Sequence, residues 1–144
     1  MKIFLATPIS AIKDHNEFVK YRKSVVKLVS SLRMMEHDVI CEIDEISDTD
    51  NYDSPKESYL KDFSAILESD AFILHYPVST PTSALVELGF ALAMNKRVII
   101  ITPDRSGLPY LMRELDSTGS NHFIIINKYL GKVTTNKIID ALKG

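Results

Sequence analysis

Five short apolar runs alternate with amphipathic segments along this chain, and that alternation limits its fold more than any other feature. The runs are KIFLA (2–6), HDVICEI (37–43), AFILHYP (71–77), RVIIIT (97–102) and HFIIIN (122–127). Between the first two, Phe18, Tyr21, Val25, Leu28, Val29 and Leu32 fall at spacings of three and four, which predicts a helix over 14–35. KESYLKDFSAILES (56–69) predicts a second helix, with Tyr59, Phe63, Ile66 and Leu67 as its apolar positions. Further helices are predicted over 83–95, 107–115 (short) and 134–143. The acidic, turn-rich stretch DEISDTDNYDSP (44–55) predicts a loop. RVIIIT is apolar without alternation, as in a strand covered on both faces. Strands that alternate with helices form a parallel sheet with helices on both sides, joined by right-handed crossovers. Five strands predict an α/β fold with the flavodoxin-like order 2-1-3-4-5. The 144 residues suit one domain spanning 1–144, with no linker, repeat or low-complexity stretch.

Composition removes several function classes. A net charge of −2 argues against a nucleic-acid partner, which requires a basic face. The sole cysteine, Cys41, allows no intrachain disulfide and fits a reducing compartment. The opening MKIFLATPIS lacks the apolar core of a signal peptide, and no run reaches the length of a membrane span. A soluble cytoplasmic protein, with no membrane partner, is expected.

In a sheet of this order, ligands bind beyond the carboxyl ends of the strands, near the switch point between the first and third. The loops there are TPIS (7–10), PVSTPTS (77–83) and TPDRSG (102–107), which hold Thr7, Ser10, Ser79, Thr80, Thr82 and Ser83. Glu87 follows, one turn inside the helix that opens at this crevice. An acid near a helix N-terminus complements the macrodipole, but a capping box places it three residues after the cap. Glu87 lies four after Ser83 and five after Thr82, so the box fits poorly. Its neighbours Val86, Leu88, Phe90 and Ala91 are largely apolar, and buried acids are rare unless paired or used. The backbone N–H groups and hydroxyls at Thr82 and Ser83 suit either N-capping or a ribose hydroxyl or 5′-phosphate. His75, at the end of the third strand, is a candidate to assist, although packing explains it more simply. Cys41 reads as a small buried hydrophobe. His15, His37 and His122 form no metal pattern. The acidic loop, with Glu42, Asp44, Glu45, Asp48, Asp50 and Asp53, lacks the spacing of a calcium loop. Neither a Walker loop nor GxGxxG is present. No metal and no cofactor are expected.

Three segments carry a resemblance: MKIFLATPIS (1–10), DFSAILESDAFIL (62–74) with its two aspartates eight apart, and SALVELGFALAMNKRVIII (83–101). Together they resemble the nucleoside 2-deoxyribosyltransferase superfamily, which includes nucleotide N-hydrolases. The resemblance implies that Glu87 is a nucleophile at the anomeric carbon of a nucleoside or nucleotide, kept ionised by the helix N-terminus. It implies Asp62 as a second carboxylate that holds the substrate or manages the leaving-group proton. Asp70 reads as a structural turn residue. Phe4 stands where many members have a tyrosine, and TPTSALVE replaces a run of small residues. Both departures favour hydrolysis over transfer between bases. The resemblance also implies a small-molecule partner and a homo-oligomer. Toll/interleukin-1 receptor-type domains that cleave NAD share this sheet order and use a helix glutamate, which makes NAD a second candidate substrate. A non-catalytic nucleotide sensor, with Glu87 gripping ribose hydroxyls, is the third reading.

Overall fold

A computed structural model of the chain describes residues 1–46 and 53–144. The elements run β1 (Lys2–Ala6), α1 (His15–Met34), β2 (Asp38–Ile40), α2 (Glu42–Glu45), α3 (Pro55–Glu68), β3 (Ala71–His75), α4 (Ala84–Ala93), β4 (Arg97–Thr102), β5 (Phe123–Asn127) and α5 (Lys132–Lys143). All pairings are parallel and the order is β2-β1-β3-β4-β5, the flavodoxin-like order predicted from the alternation.

Right-handed crossovers set which face each helix covers. The step from β1 to β2 goes one way across the sheet, and the later steps go the other way. Accordingly α1 covers one face, joined there by the terminal α5, which forms no crossover, through Phe18, Val25, Leu28, Leu32, Ile138 and Leu142. Helices α3 and α4 cover the opposite face, with Ile66, Ala84, Leu88 and Ala91. Strand β4 alternates between the two cores: Ile99 and Ile101 face α1 and α5, while Val98 and Ile100 face α3 and α4. All four are fully buried. Local signals start the helices. The Asp14 carboxylate accepts the Glu17 N–H at 2.9 Å, and Ser54 and Glu57 form a reciprocal capping box at α3, with Pro55 as its first residue. Asp70 joins the amino ends of β1 and β3, its carboxylate accepting the Lys2 N–H at 2.6 Å.

Two predicted elements differ. The second strand ends at Ile40 rather than Ile43, and residues 42–45 turn into α2. Arg22 of α1 causes this: its guanidinium donates to the carbonyls of Ile43, Asp44 and Ile46 at 2.7–3.1 Å. These three carbonyls converge on one cation only if the chain turns. The predicted helix 107–115 is instead three separate 3₁₀ turns, 105–107, 110–112 and 115–117. Leu108 precedes Pro109 and is extended, at ψ 152°, as proline's ring demands of its predecessor. Side chains hold this stretch in place of a helical ladder: Arg105 grips Asp116 through two bonds of 2.8 and 2.9 Å, and Arg113 donates to the Leu108 carbonyl. Of the acidic loop, Asp48 and Asp50 lie outside the described residues. Among the described residues, no helix is long and apolar enough to cross a membrane.

His75 points towards α1. Successive strand side chains alternate faces, so His75 shares the α1 side with Ala71 and Ile73. Its Nδ1 is hydrogen-bonded to the Tyr21 hydroxyl at 2.8 Å and the rings stack. Burial pushes its pKa down to about 3, so the ring is neutral. The Tyr21→Phe protein leaves this buried nitrogen unpaired and is expected to lose about 1–3 kcal/mol of stability. A chemical-denaturation midpoint unchanged from wild type would contradict that assignment.

Candidate functional site

Beyond the carboxyl ends of β1 and β2, between α3 and α4, lies a cavity of about 560 Å³, within the range that holds a nucleotide-sized ligand. Four segments build it. The β1 loop supplies Thr7, Ile9 and Ser10, and the turn after β2 supplies Glu42. Asp53 and α3 supply Ser58, Tyr59 and Asp62, while the start of α4 supplies Thr82, Ser83, Val86, Glu87 and Phe90. The sheet order arranges these laterally. Glu42 follows the outer strand β2, Thr7 and Ser10 follow β1, and Thr82 and Ser83 follow β3 on the far side.

The structure therefore brings six of the eight candidate residues to one cavity: Thr7, Ser10, Asp62, Thr82, Ser83 and Glu87. The other two lie elsewhere. His75 faces α1, as described above. Ser79 is exposed and sits against Gly107, where an added Cβ would come within 3.4 Å of the Ser79 Cβ.

Glu87 occupies the first turn of α4 and is partly buried. Its pKa is raised from 4.5 to about 8, first by burial and then by the charges of Asp62 and Glu42. The helix end was expected to keep it ionised. That contribution is at most about 1–2 kcal/mol, whereas raising the pKa from 4.5 to about 8 corresponds to roughly 5 kcal/mol. Burial and like charge win, and the free carboxyl is mostly protonated at neutral pH. Asp62 and Glu42 are also raised, each mainly by burial. The described lining holds four carboxylates, Glu42, Asp53, Asp62 and Glu87, and no lysine, arginine or histidine. Among the described residues, no three acidic, histidine or cysteine side chains are grouped to hold a metal ion.

Aromatic side chains on the same two helices complete the lining. The rings of Tyr59, Phe63 and Phe90 pack at centroid distances of 5.3–6.0 Å, and Tyr59 and Phe90 line the cavity. Tyr59 was read as an apolar core position. It is instead 54% exposed, at the cavity rim.

At the start of α4, most N–H groups are already used. Those of Leu85, Val86 and Glu87 donate to the carbonyls of Thr82 and Ser83. The Ala84 N–H is held only by the Thr82 hydroxyl, at 3.4 Å, and the Ser83 side chain makes no cap. This end therefore offers the Ala84 N–H and the Ser83 and Thr82 hydroxyls to a ligand. Buried Tyr76 fixes the preceding loop, its hydroxyl donating to the Thr80 carbonyl and accepting the Thr80 N–H at 2.7 and 2.9 Å. Tyr76→Phe frees both Thr80 groups. We expect it to lower kcat/KM for a cleaved substrate by about tenfold, through loss of positioning, with the melting temperature down by only a few degrees. Unchanged kcat/KM would show that the loop is not positioned this way.

Sequence reasoning did not place Glu42, Asp53, Tyr59, Phe90 or Tyr76 at the site; it weighed Glu42 and Asp53 only as members of an acidic loop, and Tyr59 and Phe90 only as apolar helix residues. Reading HDVICEI as strand throughout hid the turn that brings Glu42 to the cavity. Cys41 is buried, and burial pushes its thiol up to about 12, which removes it as a nucleophile.

Comparison with known proteins adds one functional neighbour. No family model and no curated protein matches the sequence. Among solved structures, the chain is similar to a CMP N-glycosidase, BcmB, from Clostridium botulinum. The identity is 26% and the TM-score 0.66, covering 99% of this chain and 98% of that one. It also shares its fold with a conserved protein from Enterococcus faecalis V583, at 22% identity and a TM-score of 0.55, covering 97% of this chain and 86% of that one.

Proposed function

We propose that this chain cleaves the N-glycosidic bond of a nucleoside or nucleoside 5′-monophosphate, with Glu87 as nucleophile and Asp62 as proton donor. The observation that carries this reading is the Glu87 carboxyl, set into a nucleotide-sized cavity beside the second carboxyl of Asp62. Similarity over nearly the whole chain to a CMP N-glycosidase supports it.

In this reading the sugar lies with its anomeric carbon at Glu87. The ribose hydroxyls or 5′-phosphate meet Thr82, Ser83 and the Ala84 N–H, with Ser10 and Thr7 alongside. A Glu87 carboxylate oxygen attacks the anomeric carbon while the carbon–nitrogen bond breaks. The electron pair goes to the base, which takes a proton from Asp62. Water then attacks the anomeric carbon of the glycosyl ester, gives its proton to the Asp62 carboxylate and releases Glu87 as carboxylate. The transition state is oxocarbenium-like, and an adjacent anion stabilises it. With a pKa of about 8, roughly a tenth of Glu87 is ionised at pH 7. Ionising it costs little more than 1 kcal/mol, a modest part of a catalytic barrier. A homo-oligomer belongs to the same reading. Tyr59 and Leu60 of α3 and Val86 of α4 stay more than half exposed beside the cavity, an apolar face suited to a second copy.

The mostly protonated Glu87 favours one other reading, a nucleotide-binding module in which the neutral acid hydrogen-bonds ribose hydroxyls. Incubation with deoxynucleosides, nucleoside monophosphates and NAD, followed by chromatography, separates the two. Freed base from a nucleoside or monophosphate supports cleavage. Tight binding with no freed base from any substrate supports the module. Base freed from NAD alone moves the substrate to nicotinamide ribosides. A second free base added to the mixture forms a new nucleoside only if the enzyme transfers.

A further inference from the structure

A second cavity, of about 490 Å³, lies between α1 and α5, on the face of the sheet away from Glu87. Helix α1 lines it at positions 24, 27, 28 and 31, and α5 at 132, 135, 136 and 139. Each set follows the i, i+3, i+4, i+7 spacing of one helical stripe, along which neighbouring helices normally interlock large apolar side chains. Of these eight positions, Leu28 and Ile139 alone are apolar. Ser24, Ser31, Thr135 and Asn136 are too short to close the seam, and the cavity is the result. The remaining two positions are Lys27 and Lys132, and no residue of the lining is acidic. Among the described residues, neither lysine forms an ion pair. The Glu87 cavity has the reverse character, its described lining holding four carboxylates and no cation. Two like charges on one cavity repel, and an anion between them removes that cost.

Independently of the cleavage reading, we infer that the cavity between α1 and α5 binds a sugar phosphate. The phosphate goes to Lys27 and Lys132, whose ammoniums make charge-assisted hydrogen bonds to its oxygens. Gly131, also in the lining, gives α5 no side-chain cap, so the first N–H groups of the helix add to this field. The volume is that of a site for a small organic molecule rather than a lone ion. A phosphate ion would leave the apolar floor of Leu28, Leu130 and Ile139 uncovered. The hydroxyls decide what the organic body is. Those of Ser24, Ser31 and Thr135 donate to the carbonyls of Lys20, Lys27 and Gly131, one turn back, at 3.0–3.2 Å. Their protons are engaged, and their oxygens keep lone pairs that accept the O–H groups of a sugar. The Asn136 amide adds a donor and an acceptor beside them.

Titration of isotope-labelled protein with ribose 5-phosphate, read by backbone amide shifts, tests this. Saturable shifts are expected around residues 24–31 and 131–136. Ribose should give none there, and inorganic phosphate should bind there at least about tenfold more weakly than the ester. The double variant K27A/K132A should weaken ester binding at these amides by at least about tenfold. Both lysines are exposed, so their replacement leaves the core intact. Ser31→Leu fills the seam and should abolish the shifts with no fall in denaturation midpoint. Shifts confined to the Glu87 cavity, no shifts at all, or a double variant that binds as wild type does overturns the site. Inorganic phosphate that binds as tightly as the ester overturns the sugar-phosphate assignment. None of these outcomes touches base release, so the cleavage reading stands or falls separately.

Discussion

The Glu87→Gln protein is expected to fold, to bind nucleotide and to release base at least about 10³-fold more slowly than wild type. The amide keeps the shape of the side chain and its hydrogen-bonding reach, so the cavity of about 560 Å³ keeps its lining. What it lacks is the lone pair of an anion to attack the anomeric carbon. In the proposed reading, binding by Thr82, Ser83 and the Ala84 N–H does not depend on that charge. The loss therefore falls on kcat, while Kd changes little. Glu87→Ala should match it in rate, and its smaller side chain should also admit water. Chromatographic measurement of freed base and calorimetric measurement of Kd check the two halves separately. A Glu87→Gln protein with rate within tenfold of wild type removes Glu87 from the chemistry.

The second large effect is a loss of stability as pH rises towards 8, with Glu87 as the titrating group. The Glu87 pKa of about 8 lies well above its ordinary 4.5. Folded protein holds this proton over a range in which unfolded chain has released it. The stability this provides is complete below about pH 4.5 and is lost as pH rises to about 8. His75 acts in the opposite sense. Its pKa falls from 6.5 to about 3, so its contribution is present above 6.5 and lost as pH falls towards 3. Between 4.5 and 6.5 the two slopes oppose each other. From 6.5 to 8 Glu87 acts without that opposition, and stability should fall by roughly 1–2 kcal/mol across that window. In the proposed reading the reactive form has Glu87 ionised and Asp62 protonated. The Asp62 charge that helps raise Glu87 means that Asp62 ionises first, so kcat/KM should be level just below about pH 8 and fall above it. Asp62 and Glu42 are raised in the same direction as Glu87, and their charges add to the burial that holds the Glu87 proton in place. Denaturation midpoints at pH 6.5 and 8 test this directly: wild type should lose stability and Glu87→Gln should not. A wild-type rate that keeps rising through pH 8 contradicts the need for a protonated Asp62.

Much of the fold was legible because its helices and strands obey different periods. Helix α1 declared itself through Phe18, Val25, Leu28 and Leu32, all of which are buried. Strand β4 did so through four successive residues with no polar face. Where long-range contacts override local pattern, the sequence misled. Val39, Cys41 and Ile43 alternate as a strand would, yet Arg22, some 20 positions earlier, gathers the carbonyls that turn 42–45 into a helix. Pro109 was visible, but the arginine bonds that take over from a helix after it join residues eight and eleven apart. The site divides in the same way. Glu87 stood out because it did not fit a capping box within an apolar helix. Thr7, Ser10, Thr82 and Ser83 followed from the sheet order alone. His75 was misdirected, since being near the end of a strand says nothing about which face the side chain takes. The protonated state of Glu87 was also out of reach, because it depends first on burial and then on the charges of Asp62 and Glu42, which arrive from two other elements.

The most direct test of the central claim is mass spectrometry of the enzyme acid-quenched during turnover with CMP. A glycosyl ester should appear as one added ribosyl phosphate on the peptide that contains Glu87, and should be absent from Glu87→Gln. Cytosine released steadily by wild type, with that peptide never gaining mass and with Glu87→Gln equally active, would contradict the account.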